Sequence, residues 1–137
     1  MPVVYLTRKA SFSASHRMHN PELSDQENRE IYGKCNNPNG HGHNYTLEVT
    51  VKGEIDLRTG MVMSLSDLKR VIKEAIIEPL DHRNLNLDVP VMQGINPTAE
   101  NLVVVFWNQL EQRLPAAALV EIKLHETENN VVTYRGH

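Results

Sequence analysis

Three histidines occupy positions from which they could bind one metal ion. His41 and His43 flank a single glycine, so in an extended backbone both imidazoles point to the same side, about 7 Å apart along the strand. We expect Gly42 to allow a close approach and unusual backbone dihedrals there. His16 ends another extended segment, on the side that carries Phe12 and Ala14. Three neutral imidazoles with an open fourth position are typical of catalytic zinc sites.

A simpler explanation of these histidines stays open. With 7 histidines in 137 residues, chance alone gives about 0.35 pairs of the form His-x-His, so the pair by itself is weak evidence for a metal. A single histidine such as His16 is more often a surface residue or a hydrogen-bonded core residue. The shared side of all three imidazoles and the polar loop around the pair favour the metal.

Cys35 is a candidate catalytic base. It lies six positions before His41, between Lys34 and Asn36 rather than among apolar residues. Lys34 and a nearby zinc ion would favour the thiolate, and a thiolate beside a Lewis acid can remove a proton from carbon. The alternative is an idle thiol. As the only cysteine in the sequence, Cys35 cannot form an internal disulfide, which fits a reducing compartment.

Three carboxylates complete the set of candidate residues. Asp81 precedes His82, and a carboxylate can fix the tautomer of a histidine that shuttles protons, although loop capping explains the dipeptide more simply. Glu126 continues the inward side of a strand, where an unpaired charge is costly, so a ligand with two donors on a guanidine-like edge would satisfy it. Glu100 begins a helix, where the helix dipole favours it; a substrate role is the alternative.

The elements that must position these residues alternate between strands and helices. Alternation at period two predicts a strand that ends at His16, a second one over 41–51 and a closing hairpin over 120–135. We also expect a short strand at Met61–Met63. Residues 17–42 lack a period and are predicted to form a long loop around Cys35.

Two helices are predicted between these strands. Ser64 to Asp67 resembles a capping box, and the helix that it opens ends at Pro79. Thr98 is the expected N-cap of the second helix, which Pro115 stops. The inward faces are expected to carry Leu65, Leu68, Ile72, Ala75 and Ile76 in the first helix and Leu102, Val105, Phe106, Leu110 and Leu114 in the second.

This order predicts an α+β fold with an antiparallel four-stranded sheet and two helices on one face. Residues 1–137 are expected to form a single domain. An open sheet leaves edges that must be paired or covered. Closing a barrel across subunits is one solution, so we expect an oligomer.

The charge and composition of the chain argue against several classes of partner. The formal net charge is −3 and the pI is near 6.1, which does not favour nucleic acid or a membrane surface as a partner. An anionic substrate would have to be met by local basic residues. The first eight residues lack a basic leader with an apolar core, and no apolar run approaches the roughly 20 residues of a membrane span. We therefore expect a cytoplasmic protein.

Taken together, these residues resemble the 6-pyruvoyltetrahydropterin synthase family over nearly the whole chain. The most specific motif is the ten-residue stretch from Cys35 to Asn44, Cys-Asn-Asn-Pro-Asn-Gly-His-Gly-His-Asn. Shorter motifs follow the same order along the chain: Phe12–His16, Leu80–His82, Thr98–Asn101 and Glu126–Thr127.

The resemblance implies a fold, an assembly and a set of roles. The fold is the tunnelling fold, in which trimers close a barrel and two trimers stack into a homohexamer with active sites between subunits. The implied zinc ligands are His16, His41 and His43, and the implied base is Cys35. Asp81, His82 and Glu126 would form a proton relay. Glu126 would also anchor the pterin, with further contacts from Thr98 and Glu100.

The implied reaction converts 7,8-dihydroneopterin triphosphate to 6-pyruvoyltetrahydropterin with loss of triphosphate, a step of tetrahydrobiopterin biosynthesis. Its redox change is internal, so Zn²⁺ is the only cofactor implied. One rival from the same family is 6-carboxytetrahydropterin synthase of deazapurine biosynthesis, whose cysteine typically lies closer to the histidine pair. A rival of another class is a zinc-binding interaction protein without chemistry, against which Cys35 beside the metal pair argues.

Overall fold

A mixed sheet forms the body of the chain, and the computed structural model describes residues 2–137. Over those residues the five strands are β1 (Val3–His16), β2 (His41–Glu54), β3 (Arg83–Asn84), β4 (Leu119–Thr127) and β5 (Asn130–Tyr134). Their order across the sheet is β3-β1-β2-β4-β5. Three pairs are antiparallel, whereas β3 runs parallel to β1.

The helices are α1 (Asp25–Tyr32), α2 (Leu65–Ile72), α3 (Glu78–Leu80) and α4 (Ala99–Glu111). A 3₁₀ turn, Gly33–Asn36, follows α1, and a π-helical turn, Lys73–Ile77, joins α2 to α3. Side chains cap the three longer helices at their N-termini: Ser24, Ser64 and Thr98 each accept an N–H from the third helical residue. Within residues 2–137, no helix has both the length and the apolar character needed to cross a membrane.

The alternation of the strands decides which face is buried. Phe12 pairs directly with Tyr45, and Leu47 with Leu124, so their side chains point to the same side of the sheet. α2 and α4 cover that side, and the ring of Phe106 from α4 packs edge-on against Phe12 with centroids 5.9 Å apart. The opposite face carries hydroxyls, amides and charged groups.

Several of the candidate site residues lie at one end of the sheet, which we call the site end. His16 ends β1 directly opposite His41, which begins β2. Glu126 lies near the end of β4, beside the turn into β5. The N-terminus of α4 reaches the same end, because the carbonyl of Pro97 contacts the ring of His16.

The α+β class is confirmed, but the predicted four-stranded antiparallel sheet is wrong. The extra strand, β3, is only two residues long and pairs in parallel with Ala14 and Ser15. So short a strand has no readable alternation, which is why the sequence indicated only a polar loop. The strand predicted at Met61–Met63 is also wrong, since Met61 has no regular structure and Val62 and Met63 form a bend.

The predicted helices are present, with differences in detail. Leu65 is 52% exposed rather than inward, whereas Leu68, Ile72, Ala75 and Ile76 are buried. Leu102, Phe106, Leu110 and Leu114 are buried as expected, and Val105 is half-buried. The first helical region continues past Pro79 to Leu80, because a wider π turn precedes the proline that lacks an N–H.

The expectation of an uninterrupted loop over residues 17–42 is wrong. It contains α1, whose sequence, Asp-Gln-Glu-Asn-Arg-Glu-Ile-Tyr, has almost no apolar face and buries only Asn28. The capping box of Ser24 and Glu27 was the signal that could have found it. A helix of this kind is fixed by caps and buried polar contacts rather than by an apolar stripe.

Candidate metal centre

The C-terminal end of β1 and the N-terminal end of β2 bring three imidazoles together. The ring centroids of His16 and His41 lie 4.8 Å apart, as do those of His41 and His43, and those of His16 and His43 lie 5.2 Å apart. One ligand nitrogen from each ring lies within 4.8 Å of the other two. These three histidines could therefore bind a metal ion.

Each ring presents one buried nitrogen that has no hydrogen-bond partner within residues 2–137: His16 Nε2, His41 Nδ1 and His43 Nε2. Leaving a buried polar atom unpaired costs about 1–3 kcal/mol, so three such atoms in one place need an explanation. A cation that accepts their lone pairs would remove the cost. Three neutral imidazole nitrogens form a donor set that fits zinc.

The surroundings of His16 fix its tautomer. The ring is completely buried, and Nδ1 lies 2.7 Å from the carbonyl oxygen of Pro97. A carbonyl can only accept, so Nδ1 carries the proton and Nε2 keeps its lone pair. Burial lowers the pKa of His16 and also that of His43, because desolvation disfavours the charged ring. Both rings are therefore neutral near pH 7, the form that binds metals.

Tyr45 closes the inner side of the histidine cluster. Its ring stacks on Phe12 with centroids 4.8 Å apart, and its hydroxyl lies 3.4 Å from His16 Nδ1. Burial raises the pKa of this phenol, and the charges of Glu126 and Cys35 raise it further. The phenol is therefore neutral, and Glu126 and Cys35 both lie within electrostatic range of its hydroxyl.

The carboxylate of Glu126 approaches the histidine cluster, with Oε1 3.9 Å from His43 Nε2. Only 15% of its side chain is exposed, and no hydrogen-bond donor reaches it within residues 2–137. Glu126 lines a cleft of about 590 Å³, which we call the acidic cleft, together with Glu100 and residues 129–133. A half-buried carboxylate without a donor can bind a ligand that carries N–H groups.

Cys35 lies in the 3₁₀ turn that follows α1, as a free and partly exposed thiol. Its carbonyl accepts the N–H of Met18 at 2.8 Å. The next residue, Asn36, is buried and donates to the carbonyl of Met18 at 2.9 Å. These bonds hold the turn that carries Cys35 against the segment that leaves His16.

Asp81 and His82 form a pair at the edge of the sheet. His82 Nδ1 lies 3.0 Å from Asp81 Oδ2, and Asp81 Oδ1 accepts the N–H of Ser13 at 2.8 Å. That backbone bond chiefly lowers the pKa of Asp81, so the carboxyl is ionised at neutral pH. His82 adopts φ 61° and is 82% exposed. His82 lines a surface cleft together with Ser13, Ser15 and His43.

The predicted site residues therefore form two groups in one chain. The three histidines, Glu126 and Cys35 surround Tyr45, with Glu100 in the acidic cleft and Thr98 at the N-terminus of the same helix. Asp81 and His82 form the second group, which no hydrogen bond or ion pair joins to Cys35 within residues 2–137. Thr98 serves as the N-cap of α4, since its Oγ1 accepts the N–H of Asn101 at 3.1 Å.

Three contributors to the site were missed in the sequence. Pro97 orients His16 through its carbonyl, which no side-chain pattern reveals. Tyr45 shares the inward side of His41 and His43, and this shared side was a usable signal. The glycine that the site needs is Gly40 rather than Gly42: it has φ 74°, and a Cβ there would lie 3.0 Å from the carbonyl oxygen of His16.

The chain is similar to known proteins over nearly its full length. The family model described as 6-pyruvoyl tetrahydropterin synthase matches residues 5–137. A 6-pyruvoyl tetrahydrobiopterin synthase of Poecilia reticulata is 58% identical over 132 residues, covering 96% of this chain and 90% of that protein. The human 6-pyruvoyl tetrahydrobiopterin synthase is 54% identical over 131 residues, with the same coverage. The structure of Caenorhabditis elegans 6-pyruvoyl tetrahydropterin synthase matches with TM-score 0.94 and 41% identity, covering 100% of this chain and 98% of that one.

Proposed function

The chain belongs to the 6-pyruvoyl tetrahydropterin synthase family, and we propose that it is a lyase that converts 7,8-dihydroneopterin triphosphate to 6-pyruvoyltetrahydropterin and inorganic triphosphate. The family resemblance seen in the motifs is thereby confirmed. The observation that carries the proposal is the convergence of three buried, unpaired imidazole nitrogens beside a half-buried carboxylate, in a chain more than half identical to named synthases.

We propose His16, His41 and His43 as the ligands of a zinc ion. The neutral imidazoles and the Pro97 carbonyl that fixes the tautomer of His16 support this assignment. Bound zinc would supply Lewis acidity to the hydroxylated side chain of the substrate. Cys35, on a turn that is tied by hydrogen bonds to the residues after His16, would remove a proton from a side-chain carbon.

The oxidation and the reduction in the proposed reaction both take place within the substrate. The proton that Cys35 removes is replaced by a proton added to the pterin ring, so the side chain is oxidised while the ring is reduced. Breaking the bond between carbon and phosphate oxygen releases triphosphate with the bonding electrons. No external oxidant or reductant is required.

Asp81 and His82 are proposed as the proton-transfer pair, held in one orientation by the bond between Asp81 and Ser13. We propose that a second copy of the chain completes the site, because within residues 2–137 no hydrogen bond or ion pair joins the pair to Cys35. The sheet supports this arrangement, since β3 and β5 are edge strands that further copies could pair with. Edge pairing between copies would bring the pair of one chain towards the acidic cleft of the next.

The acidic cleft is proposed to hold the pterin ring. Glu126 would accept two N–H groups from the amidine edge of the pterin, which satisfies a carboxylate that has no donor of its own. Glu100 lines the same cleft. Thr98 begins the helix that carries Glu100 and would help to position it.

The wider organisation is proposed on the same basis. We propose a single catalytic domain in a homohexamer made of two stacked barrel-closing trimers. We propose the cytoplasm as its location, and the single reduced thiol supports this compartment.

Product identification tests the proposed function. Zinc-loaded protein is incubated with 7,8-dihydroneopterin triphosphate, and the products are separated by chromatography with mass detection. We expect the pyruvoyl product with one equivalent of triphosphate, and loss of both after treatment with a chelator. Formation of the carboxy product would assign the rival enzyme instead, and zinc binding without any turnover would favour the interaction protein.

A further inference from the structure

A second pocket, distinct from the acidic cleft, adjoins the three-histidine cluster. It has a volume of about 620 Å³, and its lining includes Arg17, Arg29, Lys34 and His41. We call it the basic pocket. His41 is shared, so one wall of this pocket belongs to the histidine cluster itself.

The cations of the basic pocket have no acidic partner. Within residues 2–137, neither arginine nor the lysine takes part in an ion pair. Three unpaired cations around one concavity stand out in a chain whose formal net charge is −3. Such a concavity concentrates positive potential and favours a multiply charged anion.

The wall of the basic pocket is held in place by hydrogen bonds. Arg17 Nε donates to the carbonyl of Asn36 at 3.0 Å, and the backbone N–H of Arg17 donates to Asn86 Oδ1 at 2.7 Å. Asn36 is itself buried. The guanidinium of Arg17 is thus positioned with its two terminal nitrogens still available to phosphate oxygens.

The two pockets adjoin different histidines of the cluster. Glu126 of the acidic cleft approaches His43, whereas the basic pocket begins at His41. The proposed substrate has the same order of groups: an amidine edge, a hydroxylated side chain and a triphosphate. We propose that the basic pocket is a polyphosphate-binding subsite, in which Arg17, Arg29 and Lys34 bind the triphosphate of the substrate. This inference rests on the proposed function.

One acidic residue sharpens the test, because Asp25 also lines the basic pocket. Its carboxylate opposes a bound polyphosphate and leaves no ion pair behind when it is neutralised. Asp25→Asn should therefore strengthen polyphosphate binding, whereas loss of either Arg29 or Lys34 should weaken it. A purely structural role of this pocket would not produce opposite signs.

Calorimetry with two probes on the full chain tests the subsite. Inorganic triphosphate reports the basic pocket, and 7,8-dihydroneopterin, which lacks phosphate, reports the acidic cleft and the histidines. We expect Arg29→Ala and Lys34→Ala each to weaken triphosphate binding about tenfold and to leave dihydroneopterin binding unchanged. Lys69→Ala, which removes an exposed lysine of α2 outside the pocket, is the matched control.

Triphosphate also chelates zinc, so both probes are measured with zinc-loaded and with metal-free protein. The proposal requires the loss in the variants to appear in both preparations. Equal triphosphate binding in wild type and variants, or an equal loss of dihydroneopterin binding, would overturn it. Unchanged zinc content and circular dichroism show that the variants are folded.

Turnover separates this inference from the proposed function. If the wild type forms the pyruvoyl product but the double variant Arg29→Ala/Lys34→Ala keeps the same KM, the subsite is wrong and the function stands. If triphosphate binding falls in the variants but the wild type forms no pyruvoyl product, the subsite stands and the function is wrong. ATP as a third probe then shows whether the pocket binds a nucleoside triphosphate equally well.

Discussion

At the scale of single residues, the candidate metal centre consists of three imidazole nitrogens that have no hydrogen-bond partner within residues 2–137. The proton of His16 is committed to the Pro97 carbonyl, which leaves its second nitrogen free. Tyr45 fills the inner side without occupying that nitrogen. The imidazoles are therefore already oriented for a metal ion, which lowers the free-energy cost of binding it.

The proposed role of Cys35 predicts that its substitution leaves zinc binding intact and greatly lowers turnover. We expect Cys35→Ala to retain zinc and overall fold, because the turn is held by its backbone and by Asn36 rather than by the thiol. Turnover should fall by about 10²–10⁴-fold, the usual contribution of a positioned base. Steady-state kinetics and metal analysis check this. Turnover within a factor of two of wild type would exclude the base assignment.

The proposed role of Glu126 predicts that its substitution weakens the binding of the pterin but not that of zinc. Glu126→Gln keeps the shape of the side chain but removes the charge, so we expect dihydroneopterin binding to weaken about tenfold or more. Zinc affinity should stay near that of wild type, because the three imidazoles supply the donors. Calorimetry measures both, with Glu128→Gln in the exposed turn as control. Loss of zinc with normal pterin binding would reassign Glu126 to the metal.

At the scale of elements, register and caps place the residues. The β1–β2 ladder pairs His16 with His41 and Ala14 with His43, and a slip by one residue would turn the imidazoles to the other face. Gly40 permits the close approach between the ends of these strands. α4 begins at Thr98 immediately after Pro97, so the cap of the helix and the orientation of His16 depend on the same short segment.

The cap of α4 gives a prediction about stability. Thr98→Ala removes the acceptor for the N–H of Asn101 and should lower the free energy of unfolding by about 1 kcal/mol. Thr98→Ser keeps the hydroxyl and should restore most of it. Urea unfolding at fixed protein concentration measures both, with Ser66→Ala in α2 as control. Equal stability of all four proteins would show that the cap contributes nothing.

A second prediction at this scale concerns pH and the pairing of β2 with β4. The ring of His125 hydrogen-bonds Glu48 and is the main reason why the pKa of that carboxyl lies below its ordinary value of 4.5. A lowered folded-state pKa gives stability that is complete above pH 4.5 and is lost as the pH falls through the folded value.

We therefore expect Glu48→Gln to lower the free energy of unfolding by about 0.5–1 kcal/mol at pH 7. The difference from wild type should shrink as the pH falls below 4.5. Urea unfolding across this range measures it, and Glu54→Gln at the exposed end of the same strand is the control. A difference that stays constant with pH would mean that the charge of Glu48 is not involved.

At the scale of the whole molecule, the sheet is covered on one side only. The helices pack on the apolar face, while the other face exposes polar side chains along β1, β2 and β4. Within residues 2–137, the edge strands β3 and β5 each pair with one neighbouring strand only. Such a sheet is suited to association with further copies, as we propose for a site in which Asp81 and His82 of one chain act with Cys35 of another.

A mixing experiment tests whether the site is shared between copies. Cys35→Ala and His82→Ala should each be inactive alone. When equal amounts are unfolded, mixed and refolded, random assembly should give about a quarter of the sites both intact groups. Activity near that fraction is expected, and no recovery in well-folded mixed oligomers would mean that each site belongs to one chain. A mixture of Cys35→Ala with Cys35→Ser is the control.

The sequence by itself predicted the candidate site residues and identified the family. Alternation placed His16, His41, His43 and Glu126 on the inward side of their strands, and the ten-residue stretch around Cys35 was specific enough to identify the family. These features are local, since side-chain direction in a strand depends only on position along it. The same reasoning located the two main helices, because they bury a regular apolar face.

Only the tertiary structure decided how these residues meet. The Pro97 carbonyl that orients His16 is 81 residues away along the chain, and backbone groups carry no side-chain pattern. β3 is too short for a period, and α1 is held by caps and a buried asparagine. Such contacts are set by the packing of distant segments, which the sequence of any one of them does not contain.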